Sequence, residues 1–200
     1  MSHTLCFETI CVEHRTLKNL SYHEARLNKT RRDLMGFEDH WNLTELLAVP
    51  ESIDNTLHKC RVSYGEEIEE IKWEPYSIRT IRKVQRVYHD NIDYRFKYEN
   101  RDELNALFAQ RKDADEILII KNGFVTDSLY CNVAFFDGNV WHTPSSPLLP
   151  GTQRAFLLDS EVIREADIRE SDLRKFSRVK LFNAMLDWEN AVELDIGCIA

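Results

Sequence analysis

The stretch "YRFKYENRDEL", residues 94–104, holds a single lysine, Lys97, set among Tyr94, Phe96 and Tyr98 just before a helix-like run. A lysine with bulky apolar neighbours has two readings. It is a solvated surface side chain, or it is a primary amine held for chemistry, able to act as a nucleophile and then as a base. The second reading needs a matching anion site elsewhere in the chain. "LLPGTQRAFLL" offers one. Gly151 lets the backbone approach a ligand closely, and Thr152 and Gln153 open a helix whose first N–H groups and dipole favour a phosphate. Every helix has such an end, so the motif is weak alone. In "NGFVTDSLYCNVAFF", Asp127 follows a tight turn among bulky residues. Its carboxylate lies on a solvent face or is buried beside a cation, because an unpaired buried charge is too costly. Arg61, in "KCRVSYG", is either a strand-surface arginine or a partner for a substrate carboxylate.

The elements that would position these residues read as follows. "LCFETICVEH" alternates as a strand. "LSYHEARLNKTRRDLMGF" is a helix with Ser21 and Glu24 as a capping box, an apolar stripe of Leu20, Ala25, Leu27, Leu34 and Met35, and Gly36 as its stop. "NLTELLAVP" is a short helix ended by Pro50. "KCRVSYGEEIEEIKWEPY" is a hairpin around Gly65, its acidic run a solvated face, and "SIRTIRKVQRVYH" continues that sheet. "HDNIDY" connects two lobes, and "NRDELNALFAQRKDA" is a helix. Asn122-Gly123 and Asp137-Gly138 mark hairpins. "TPSSPLLPG" is an irregular loop, "TQRAFLLDSEVIREADI" a helix capped near Thr152, and "RVKLFNAML" and "NAVELDIG" are strands. The expected class is α+β, with a small N-terminal lobe over residues 1–90 and a larger, mostly antiparallel lobe with helices over 91–200.

Composition narrows the function. The chain has 200 residues, enough for one domain or two small lobes with real cores. It carries 26 basic and 34 acidic residues, a formal net charge of -8, which argues against nonspecific binding to nucleic acid or anionic membranes. No apolar run is long enough to span a bilayer, and the N-terminal stretch lacks the pattern of a leader. The five cysteines, Cys6, Cys11, Cys60, Cys131 and Cys198, are scattered with no CxxC pair. They read as reduced thiols of a cytoplasmic protein. The seven histidines form no HExxH, so no metal site is expected.

Taken in order, "FETI", "YHEARL", "FKYENR", "GFVTDSLYCNVAF", "HTPSSPLLPGTQR" and "LFNAML" resemble the fold-type IV, class IV aminotransferase family. These are pyridoxal 5'-phosphate enzymes that include D-amino-acid and branched-chain aminotransferases and 4-amino-4-deoxychorismate lyase. The resemblance spans nearly the whole chain and implies a two-lobed fold of that type. Through "K-x-x-N-R" it implies that Lys97 forms the internal aldimine, and through "H-x-x-R-L" that Arg26 binds the cofactor phosphate. Asp127 falls where the family has the glutamate that faces the pyridine nitrogen. Gly151, Thr152 and Gln153 match the loop whose amides hold the phosphate, and Asn183 in "FNAM" matches a segment close to the cofactor. The chemistry is consistent: an aldehyde needs a primary amine, a phosphate dianion a guanidinium fork with helix-end amides, and a pyridinium a carboxylate. The resemblance further implies an amino-acid-like small-molecule substrate and a homodimer. Transamination and a lyase reaction both stay open, as does a degenerate member serving as a binding module. Asp127 is one methylene shorter than the family glutamate, Tyr130 is bulky where the family is small, and the chain is shorter than typical members.

Overall fold

The computed structural model describes residues 4–200; residues 1–3, where a leader would begin, lie outside the described residues. The chain divides into two compact units. The first comprises Met1–Ile78 with Phe96–Asn100, and the second Arg79–Arg95 with Arg101–Ala200. The sequence reading placed one division after residue 90; here the chain leaves the first unit after Ile78 and returns to it for five residues around Lys97.

The first unit is built on a four-stranded antiparallel sheet of order β2-β1-β3-β4, from β1 (Cys6–Glu13), β2 (Thr16–Leu17), β3 (His58–Tyr64) and β4 (Ile68–Pro75). The hairpin around Gly65 forms as expected, with a bulge between Ser63 and Tyr64. That extra residue shifts the phase of β4 and explains why Ile68, Ile71 and Trp73, all packed on the core, do not alternate strictly. Helix α1 (Leu20–Thr30) runs into a π-helical turn, Arg31–Met35, closed by Gly36 at φ 82°. The expected capping box is absent. Asn19, left-handed at φ 51°, begins the helix, and Glu24 instead accepts the Leu43 N–H at 2.8 Å, at the start of α2 (Leu43–Leu46). Of the expected apolar stripe, Leu20, Leu27, Leu34 and Met35 pack on the core of this unit. Ala25 is exposed, and the buried residues of α1 are His23, Leu27, Asn28 and Thr30. A helix that buries mostly polar side chains must satisfy them locally, and this one does so in a network described below.

In the second unit, β5 (Val84–Tyr88) does not continue the first sheet as expected. It pairs in parallel with the apolar β6 (Glu116–Lys121), whose five buried residues need a partner strand on that edge. Helix α3 (Asp102–Phe108) lies between them in sequence, making the crossover that parallel pairing requires. β6 turns through Asn122 (φ 51°) and Gly123 (φ 78°) into β7 (Phe124–Val125), the paired left-handed conformation that an Asn-Gly hairpin favours. A five-stranded sheet of order β10-β9-β8-β11-β12 follows, from β8 (Asn132–Phe136), β9 (Trp141–Pro144), β10 (Arg164–Ala166), β11 (Arg178–Phe182) and β12 (Val192–Asp195). Helix α4 (Thr152–Asp159) stops earlier than expected, and Arg164–Ala166 instead pairs in parallel with β9. Alternation along β8 and β11 gives this sheet two buried faces. Val133, Phe135, Val179 and Leu181 join the core shared with β6, while Ala134 and Phe182 pack with Leu157 of α4. The architecture is α+β with mostly antiparallel sheets.

Candidate active site

Lys97 belongs to a segment added along β1. The Phe7 N–H donates to the Lys97 carbonyl at 3.0 Å and the Glu99 N–H to the Leu5 carbonyl at 2.9 Å, with Cys6 and Tyr98 bridged antiparallel. Lys97 Nζ lies 4.7 Å from the centre of the Phe7 ring. The next residue of β1, Glu8, carries Arg26: Nε donates to Oε1 at 2.9 Å and Nη2 to Oε2 at 2.5 Å. His23 Nδ1, one turn earlier on α1, is 2.6 Å from Glu8 Oε2, and both side chains are fully buried. Two residues far apart in sequence are thus fixed by neighbours on one strand, Lys97 through a backbone bond to Phe7 and Arg26 through the Glu8 side chain.

The electrostatics follow from that burial. Burial opposes the Glu8 charge, but the Arg26 guanidinium and the bonds from His23 and Arg26 outweigh it and draw the carboxyl down to about 2. Burial lowers His23 against the opposing bond from Glu8, so the imidazole is neutral near neutral pH. Arg26 therefore sits in a site with one ionised carboxylate and one neutral histidine.

In the second unit, Asp127 is 5% exposed, just after β7. Its Oδ1 accepts from Asn132 Nδ2 at 2.8 Å and its Oδ2 from the Leu149 N–H at 2.8 Å. Burial pushes the carboxyl up to about 6; the Leu149 N–H, Asn132 and the charge of Arg154 offset this only in part. No cation among the described residues lies within ion-pair distance of it. Gly151 is the N-cap of α4, and Thr152 and Gln153, both buried, form its first turn. The loop ahead of α4 is therefore tied to Asp127 through Leu149. Asn132 was missed as a site residue. The signal was the asparagine five residues after Asp127, at the start of β8, where its amide reaches both the carboxylate and the loop.

Asn183 lies elsewhere in the second unit. Its Oδ1 accepts the Met185 and Leu186 N–H groups at 2.8 and 3.1 Å, and its Nδ2 donates to the Tyr130 carbonyl at 3.2 Å. It thereby pins the loop that follows Asp127. Tyr130 is 46% exposed, with the Arg101 and Arg79 guanidinium groups 4.8 and 5.1 Å from its ring centre. Arg61, in the first unit, is bonded to Glu99 at 2.7 Å and stacked 3.8 Å over Phe7, so its charge is already matched. Arg154 donates to the Pro144 carbonyl and Glu165, a structural pairing. A cleft of about 560 Å³ in the second unit is lined by Tyr94, Lys121, Thr126, Ser146 and Leu148 among others, and by none of the candidate residues.

The model of the amino-transferase class IV family matches residues 5–192. The chain belongs to that family. Class IV aminotransferases are pyridoxal-phosphate enzymes, so this is an enzyme of a PLP-dependent family. A Haemophilus influenzae protein of uncharacterized function is 40% identical over 181 residues, covering 90% of this chain and 96% of that one. A structure from Haemophilus somnus, provisionally named 4-amino-4-deoxychorismate lyase, shares 33% identity with a TM-score of 0.86, covering 94% of this chain and 98% of the other. The 4-amino-4-deoxychorismate lyase of Pseudomonas aeruginosa has the same fold at a TM-score of 0.72 and 21% identity, over 95% of this chain and 82% of its own. For a class IV aminotransferase, the donor set around Asp127 fits the cofactor. A buried carboxylate held only by neutral donors is costly, and a protonated ring nitrogen is the partner that would relieve it.

Proposed function

We propose that this class IV aminotransferase binds pyridoxal 5'-phosphate and acts on the amino group of an amino-acid-like substrate, with Lys97 as its catalytic residue. The observation that carries this reading is the buried Asp127 carboxylate without an ion-pair partner among the described residues. Bound there, the cofactor would supply an aldehyde for amines and a ring that accepts electrons from the substrate's α-carbon. Arg26 would bind the phosphate as a guanidinium held in place by Glu8, and Gly151, Thr152 and Gln153 would add helix-end amides. Asp127 would keep the ring nitrogen protonated. Lys97 Nζ would take the proton from the substrate α-carbon and return it at a second carbon or release it. Asn183 would act by holding the Tyr130–Cys131 loop beside the site. Arg61 meets a substrate carboxylate only if Glu99 gives way.

The name carried by the 33% identical Haemophilus somnus structure favours a lyase reaction over amino transfer, in which Lys97 takes the same proton and a group then leaves the substrate. The same reading makes the enzyme a cytoplasmic homodimer, which sedimentation of the purified protein tests. Purified protein with added PLP should show an absorbance band near the visible edge that borohydride bleaches, and Lys97→Ala should not. Turnover of 4-amino-4-deoxychorismate, set against D-amino acids and branched-chain amino acids, separates the lyase from the transaminases. A protein that stays colourless with PLP is a binding module instead, and refutes the reading.

A further inference from the structure

Asn132 occupies a position that the proposed catalytic chemistry leaves unused. It is 6% exposed, at the first residue of β8. Its Nδ2 donates twice, to Asp127 Oδ1 at 2.8 Å and to the Leu149 carbonyl at 2.9 Å. The Leu149 N–H returns a bond to Asp127 Oδ2 at 2.8 Å. Its Oδ1 faces Gly151, where a Cβ would stand 2.0 Å from that oxygen. One side chain therefore touches the carboxylate, the loop carbonyl and the glycine at which the loop becomes α4. Only a primary amide serves here. It offers two N–H donors from one nitrogen, whereas aspartate offers none and serine one. Reversing the amide would set its oxygen against two acceptors. The glycine follows from the same geometry, because any side chain at 151 would occupy the place of Asn132 Oδ1.

We infer that Asn132 is a positioning residue that locks Asp127 and the start of α4 into one rigid unit, so that the grip on the cofactor's ring nitrogen and the grip on its phosphate are coupled. This rests on the function proposed above. Without Asn132, Asp127 keeps its backbone donors at Leu149 and Leu148, but the loop loses its tie to β8 and the carboxylate loses its one side-chain donor among the described residues. Both ends of the cofactor should then be held less well, because binding energy at each depends on the other being in place.

The test uses the full-length protein and two ligands that differ only in the phosphate, PLP and pyridoxal, with affinities read by absorbance titration. Wild type is measured first. Asn132→Ala should weaken PLP binding about tenfold or more, the order expected for loss of a hydrogen bond to a charged group. The preference for PLP over pyridoxal should narrow as well, because the loop no longer presents its amides in register. A role limited to stability would lower the melting temperature and leave that preference unchanged. If Asn132→Ala gives no cooperative melt, Asn132→Asp, of equal size and lacking both donors, carries the test with the same expected losses. Its cofactor band should also titrate at higher pH than in wild type, because a second carboxylate stands beside Asp127. A variant that folds and keeps both affinities within about twofold of wild type, with the PLP preference intact, overturns the inference and leaves the proposed function standing. Wild type that takes up no PLP overturns both.

Discussion

Burying Asp127 has a consequence for stability that can be isolated by pH. Its carboxyl rises from an ordinary 3.8 to about 6 because burial penalises the charge more than Leu149 and Asn132 stabilise it. The folded state therefore binds this proton more tightly than the unfolded chain. The group's contribution is fully present below the unfolded value and is lost as pH rises through about 6. At about 1.4 kcal/mol per pH unit, a gap of about two units corresponds to about 3 kcal/mol of order-of-magnitude cost above that range. Asp127→Asn removes the titration. It also sets an amide N–H₂ against Asn132 Nδ2 or forces Asn132 to turn, but that cost is the same at every pH. The assay is urea unfolding of cofactor-free wild type and variant between pH 4 and 7.5. The stability difference, variant minus wild type, should rise by about 2 kcal/mol between pH 4 and 6 and level off by about pH 7. A difference that does not change with pH, or that falls, would show that donors rather than desolvation govern this carboxyl. The claim that it awaits a cationic partner would then fail. With PLP bound at saturation the slope should shrink, because a pyridinium N–H would hold the carboxylate ionised.

Glu8→Gln should destabilise the protein by about 3 kcal/mol at pH 7 in denaturant titration, because it leaves Arg26 partly buried without its counter-charge. Glu8 is drawn down to about 2, so its contribution is present above its ordinary 4.5 and lost as pH falls through about 2. The wild-type advantage should fade over that window and not near neutrality. Gly151→Ala places a Cβ 2.0 Å from Asn132 Oδ1 and should cost about 2 kcal/mol. In an Asn132→Ala background the same change should cost within about 0.5 kcal/mol, a non-additivity read by thermal melts. Phe135→Ala, at a position with no exposure in the shared core of the second unit, should cost about 4 kcal/mol on equilibrium unfolding.

Local chemistry was readable where a short span decides its own conformation. Gly36 and Asn122-Gly123 sit at positive φ, as their residue types demand, and β1, β3, β6, β8 and β11 stand where apolar patterns put them. Pairing between distant strands was not readable. Nothing in "KVQRVY" says that it lies beside "EILIIK" rather than the preceding hairpin, since either neighbour satisfies the same half-buried pattern. The stop of α4 at Asp159 was hidden for a related reason. "SEVIREADI" has helical propensity, yet Arg164–Ala166 gains a ladder along β9 that no local signal announces.

The candidate residues were legible in their chemistry and opaque in their supports. Under the proposed function, Lys97, Arg26 and Asp127 stand out because an amine, a guanidinium and a carboxylate are the groups that an aldehyde, a phosphate and a pyridine nitrogen would each need. What holds them does not stand out, because each support acts across a long gap in sequence. Glu8 reads as one residue of an alternating strand, and its bond to Arg26 exists only once α1 lies against β1. His23 reads as a helix residue off the apolar stripe, and nothing in the stripe announces that His23, Asn28 and Thr30 are buried beside Leu27. Asn132 reads as the first residue of a strand. Only the folded chain shows it between Asp127, Leu149 and Gly151. The short arm of Asp127 belongs to the same argument. A carboxylate one methylene shorter than the family glutamate has less freedom to settle by itself, so its direction depends more heavily on the donors around it, Asn132 and the backbone of Leu148 and Leu149. Loss of the Asn132 donor should therefore disturb this carboxylate more than it would the longer residue.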